Sequence, residues 1–124
     1  MNDQIRQALA RDRVIDITTT GRASGQPRRK EIWFHNLDGD LYITGTPGRR
    51  DWYANLVAHP DFTFHLKQSA TADLHAHATP ITDAVQRRAI MSRILSKIDR
   101  SPDELDKWVA GSPLVAVTLE PASS

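Results

Sequence analysis

The sequence of 124 residues contains no cysteine. That excludes disulfides, thiol nucleophiles and cysteine-ligated metal clusters, and it suits a reducing compartment. No apolar run approaches the roughly 20 residues of a membrane span. The opening MNDQIRQALARDR is charged and lacks the apolar stretch of a secretory signal. A cytoplasmic chain without a membrane span is therefore expected. Surplus charge is missing as well. Sixteen Lys and Arg stand against fifteen Asp and Glu, a net charge of +1, so any anion site must be local rather than a field over the whole surface. Aromatic residues make up only 6%, and no stacking platform accompanies the cations, which argues against nucleic acid as a partner. Neither a G-x-S-x-G elbow, a P-loop nor a dinucleotide-binding glycine set occurs. An enzyme with this sequence would need a cofactor to carry the hard chemistry.

What remains is ordinary for a globular protein: 40% hydrophobic and 25% charged residues. The length fits one domain, residues 1–124, large enough to bury a core without staples. Ile5, Ala8 and Leu9 have helical spacing over residues 3–11. VIDITTTG (14–21) alternates as a strand ending at Gly21, with Val14, Asp16 and Thr18 set against Ile15, Ile17 and Thr19. RRKEIWFHN (28–36), a turn at Asp38-Gly39 and DLYITG (40–45) form a hairpin. DWYANLVAH (51–59) reads as a helix stopped by Pro60, with Trp52, Leu56 and Val57 available to a core. Strands are expected at 62–68 and 72–81, and a long helix at 82–98 with Val85, Ala89, Ile90, Ile94 and Ile98 on one stripe. Ser101-Pro102-Asp103-Glu104 supplies a cap, a first-turn proline and a capping-box acid for a further helix. The apolar LVAVTLE (114–120) completes the set as a central strand. Hairpin connections dominate this order. The fold expected is α+β: a mostly antiparallel sheet closed into a barrel, with flanking helices.

Two segments concentrate positive charge. TTTGRASGQPRRKEIWF (18–34) carries Arg22, Arg28, Arg29 and Lys30 between two strands, with Gly21 and Gly25 for close backbone approach and Ser24 and Gln26 for hydrogen bonds. From composition alone, an anion site and a solvated loop are equally good readings. TGTPGRRDWYANL (44–56) feeds a strand through a turn into a helix capped by Asp51, with Arg49 and Arg50 beside its free N–H groups and Trp52, Tyr53 and Asn55 in its first turns. His65, His75 and His77 share a strand region, but no cysteine or carboxylate completes a ligand set, so exposed histidines are favoured over a metal site.

These segments together, with ADLHAHATPIT (72–82) before a helix, resemble the deazaflavin-dependent nitroreductase family over about residues 14–120. The resemblance implies a split β-barrel of the flavin-reductase, FMN-binding-like type and an 8-hydroxy-5-deazaflavin coenzyme, F420, whose tail bears a phosphate and glutamates. It assigns Arg22, Ser24, Gln26 and Arg28 to the anionic part of that coenzyme, Trp33 to the ring pocket, and Thr46, Trp52 and Asn55 to the second segment. Ala23 and Pro47 stand where the family often has lysine, and Arg49, Arg50, Arg29 or Lys30 would compensate. Leu105 and Trp108 replace the tyrosines that shape the family's substrate pocket. The expected activity is hydride transfer to an electron-poor enone, quinone or nitro compound, with no assigned proton donor other than a hydroxyl such as Tyr53 or solvent. Competing readings keep the fold but bind FMN or haem, or carry a small molecule without catalysis. Both a monomer and a homodimer are compatible with the sequence.

Overall fold

The computed structural model describes residues 2–120. The chain runs α1 (Asp3–Arg11), β1 (Val14–Thr20), β2 (Pro27–Leu37), β3 (Asp40–Thr44), α2 (Asp51–Ala58), β4 (Asp61–Lys67), β5 (Thr71–Pro80), α3 (Ala84–Lys97), a 3-10 turn (Pro102–Glu104), α4 (Leu105–Gly111) and β6 (Leu114–Leu119). The six strands close into a barrel in the order β1-β2-β3-β6-β5-β4, and every pairing is antiparallel.

Period-two alternation builds the barrel interior. Ile15 and Ile17 point inward from β1, Phe34 from β2, Ile43 from β3, Phe64 from β4, and Val115 and Val117 from β6. Phe34 and Phe64 meet edge to face, with ring centroids 5.2 Å apart. Such a pair contributes about 0.5–1.5 kcal/mol beyond its area burial. The β2–β3 hairpin turns at Asp38 and Gly39, both at positive φ (54° and 98°), the two-residue geometry whose twist matches its strands. α1 packs where β1 begins: the Asn36 amide donates to the Leu9 carbonyl at 3.0 Å. α2 closes the barrel where β1 ends, burying Trp52 and Leu56 in the same core. A second apolar cluster seats α3 and α4 on the outside through Leu37, Met91, Ile94, Leu95, Trp108 and Leu114.

Several local expectations are corrected. The buried face of α3 is Met91, Ile94 and Leu95, whereas Val85 and Ala89 are exposed. The apolar spacing of 85–98 fits either stripe; packing against Leu37 and Trp108 selects the one nearer the C-terminus. Val57 is likewise solvent-facing rather than in the core. Asp51 does not cap α2 but is its first residue; Arg50 holds the cap position and makes no capping bond through its side chain. Ser101 caps only the 3-10 turn, accepting from the Asp103 N–H, while Glu104 pairs with Arg100 instead of reaching back to it.

Candidate functional site

The β1–β2 loop is closed on itself before it meets anything else. The Gly21 N–H donates to the Gln26 carbonyl (2.8 Å), the Gly25 N–H to the Gly21 carbonyl (2.9 Å), and the Gln26 N–H to Ser24 Oγ (3.2 Å). A Cβ on Gly21 would lie 2.5 Å from that hydroxyl and 3.3 Å from the Gln26 carbonyl oxygen, so a larger residue there would displace the Ser24 side chain from its turn bond. Asn55 then ties the loop to the body. Its Oδ1 accepts from the Arg22 N–H (3.0 Å), and its amide donates to Thr19 Oγ1 (3.2 Å). Both Thr19 and Asn55 are buried polar groups satisfied by this arrangement.

Between the loop, the start of β2 and α2 lies a groove of about 450 Å³. Thr19, Trp52 and Asn55 line it together with Arg22, Ser24, Arg28, Arg29 and Lys30. Register explains the cations. Arg28 pairs with Thr19 and Lys30 with Ile17, so both share the inward face of β1 while extending beyond the closed core. Arg29 points the other way and donates to Asp16 at 2.9 Å. Among the described residues Arg28 and Lys30 form no ion pair, leaving two cations without a carboxylate partner in the groove lined by buried Trp52.

A second cavity of about 630 Å³ adjoins the first. Arg22 and Asp51 line both, and Arg49, Arg50, Tyr53 and Gly48 line the second alone. Arg50 braces the turn before α2: its guanidinium donates to the Thr46 carbonyl (3.1 Å), Thr46 Oγ1 (2.7 Å) and the Arg49 carbonyl (3.0 Å). All three acceptors are neutral, so its charge remains uncompensated by a carboxylate.

The structure thus gathers Arg22, Ser24, Arg28, Trp52 and Asn55 at the first cavity and Arg22, Arg49 and Arg50 at the second. Thr46 is spent on Arg50 and lines neither. Gln26 contributes backbone to the turn while its side chain lies outside both linings. Trp33 stands half-exposed on the opposite face of β2 from Arg28 and Lys30, across from Val14. Trp108 is buried in the outer cluster beneath the Arg100 guanidinium, Leu105 packs there too, and neither lines the two cavities. Pro47 packs against Gly111, where a Cβ would lie 3.3 Å from its own. Lys30, named among the loop cations, lines the groove, and Thr19 completes it without having been singled out. Their alternation with Ile17 on paired strands was the available signal.

The histidines have other partners. His65 bonds Thr18 Oγ1 through Nε2 and Asp73 through Nδ1, both at 2.7 Å, and His77 bonds Asp61. The bond from His65 holds the Asp73 carboxyl below its ordinary range. Beside it, hydrogen bonds from Lys67 and then Arg29 depress the Asp16 carboxyl in the same way. No group of three or more His, Asp or Glu among the described residues is arranged to hold a metal ion, and no described helix is long and apolar enough to cross a membrane.

The closed antiparallel barrel with its flanking helices is a split-barrel fold. The family model for F420H(2)-dependent quinone reductase matches residues 2–104, and the chain belongs to that family. It is accordingly an oxidoreductase dependent on coenzyme F420. A solved F420 reductase superposes with a TM-score of 0.72 at 18% identity, covering 98% of this chain and 97% of its own. The Mycobacterium tuberculosis protein Rv2991 gives 0.71 at 16% identity over 98% of this chain and 82% of its own. A FAD-binding protein of Mesorhizobium loti gives 0.64 at 15% over 98% and 91%. At these identities the superpositions establish the split-barrel fold.

Proposed function

We propose that the reduced coenzyme lies along the first groove and that an electron-poor acceptor enters the second, a quinone by preference, with enones and nitro compounds as the related class. The observation that carries this reading is the pair of cations without a carboxylate partner, Arg28 and Lys30, in the groove that buried Trp52 also lines. The donor set fits the coenzyme. Guanidinium and ammonium groups suit its phosphate and glutamates. When bound, the coenzyme supplies a hydride from C5 of its deazaflavin ring.

The chain's own residues orient, shield and polarise. Arg22, Ser24 and Arg28 hold the anionic tail, and the Asn55 side chain fixes the Arg22 backbone. Trp52 walls the groove with an apolar face, which excludes water on that side. Arg49 and Arg50 place positive charge beside the second cavity, where negative charge develops on an acceptor oxygen. Tyr53 carries the one side-chain hydroxyl among the residues lining that cavity, and we assign it as the chain's own proton source.

The test is a titration of purified protein with oxidised F420 and, separately, with FMN, followed by tryptophan quenching. Saturable F420 binding is expected, and Arg22→Ala and Arg28→Ala should each weaken it by about 1.5–3 kcal/mol, the value of a charged hydrogen bond. Binding of neither ligand at micromolar concentration would sink the reading. Turnover of the reduced coenzyme with menadione then tests the acceptor class.

A further inference from the structure

The two cavities meet at one ion pair. Arg22 Nη1 lies 3.5 Å from Asp51 Oδ1, and both residues line both cavities. Asp51 is the single carboxylate in either lining among the described residues. It also opens α2, whose first N–H groups carry no side-chain cap. An anion at that position gains from the helix end and from Arg22 together. The carboxylate of the chain itself therefore sits where a ligand's negative group would be most stable.

We propose that Asp51 is a specificity-determining residue that competes within the molecule for the anion site. It holds Arg22 until a ligand with more negative charge than one carboxylate displaces it. The pair is suited to that role because it is weak. Its two side chains are 50% and 92% exposed, and such pairs are easily broken and strongly screened. A tail that carries a phosphate together with glutamate carboxylates gains more from Arg22, Arg28 and Lys30 than Asp51 does from Arg22 alone. A neutral deazaflavin or flavin gains nothing from displacing it. Asp51 thus raises the charge threshold for entry. The other carboxylate near this wall, Asp16, is already engaged by Lys67 and Arg29 on the outer face and does not compete.

The inference rests on the groove being the coenzyme site, and the experiment separates the two. Asp51→Asn keeps shape and removes charge. In low salt it should bind F420 about two- to fivefold more tightly, the scale of one exposed ion pair. The difference should vanish in 0.5 M salt, roughly where screening becomes effective within a few ångströms. The 8-hydroxy-5-deazaflavin chromophore with only its ribityl chain should bind both proteins equally. Unchanged or weaker F420 binding by Asp51→Asn, or equal tightening for the tailless chromophore, overturns the proposal. Arg28→Ala supplies the control: if it leaves F420 binding intact, the groove assignment itself fails and takes this proposal with it. If Arg28→Ala weakens binding while Asp51→Asn changes nothing, only the role of Asp51 is lost.

Discussion

The side-chain oxygen of Asn55 accepts the backbone N–H of Arg22 at 3.0 Å, a contact between residues 33 apart in sequence. It makes the floor of the barrel end and the basic loop one unit, because the same carboxamide also holds Thr19. Asn55→Ala leaves a buried hydroxyl and a loop N–H without partners. The expected cost is about 2–3 kcal/mol in urea unfolding, with coenzyme affinity falling alongside. Full retention of both would show that the loop holds its shape alone.

Burial, assisted by Lys97 and Arg13, pushes His35 down to about 4 from its ordinary 6.5. The unfolded chain therefore binds a proton that the folded chain refuses. Stability falls as pH drops through 6.5 and is lost progressively until about pH 4, by about 2–3 kcal/mol. Denaturant midpoints from pH 7 to 4.5 should follow that slope in the parent and flatten in His35→Asn. Parallel slopes in the two would assign the acid sensitivity elsewhere.

Arg87 fastens α3 to the end of α4. Its guanidinium donates to the carbonyls of Val109 (2.9 Å), Ile81 (2.8 Å) and Ser112 (2.6 Å). These include carbonyls at a helix C-terminus that lack helical partners. Arg87→Lys retains the charge but not the fork, so it should lower stability by about 2 kcal/mol, nearly as much as alanine does. A silent lysine variant would reduce the contribution to charge alone.

Arg50→Ala removes the three bonds that brace the 46–50 turn, where Gly48 sits at φ 133°. Because these bonds are exposed, the expected loss in stability is only about 1 kcal/mol. The sharper readout is faster hydrogen exchange and proteolysis confined to residues 46–50. Uniform acceleration across the barrel would contradict a local role.

Alternation made the strands legible in the sequence, since a buried face repeating every second residue has little alternative. Asp38-Gly39 fixed the hairpin for the same kind of reason: its backbone needs positive φ at both residues. The α3 stripe was legible at Ile90, Ile94 and Ile98, which pack in the outer cluster, but not at Val85 and Ala89, because Val85 and Met91 are both apolar and only Trp108 and Leu37, distant in sequence, decide which is covered. At the site, residue type announced the cations but not their partners. Arg29 is neutralised by Asp16 and Lys30 is not, a distinction set by pairing register alone. The placement of Trp33 away from the groove follows from the same parity.

The run Pro27–Trp33 has one further consequence. Among the described residues it pairs with β1 and with no second strand, because β3 joins β2 only from Phe34 onward. Although the barrel closes, that stretch of β2 keeps one backbone edge without a strand partner among the described residues. Arginine and lysine along such an edge repel pairing with a strand of another chain. The cations at the groove are then also guards of solubility, and a chain stripped of them would precipitate through that edge.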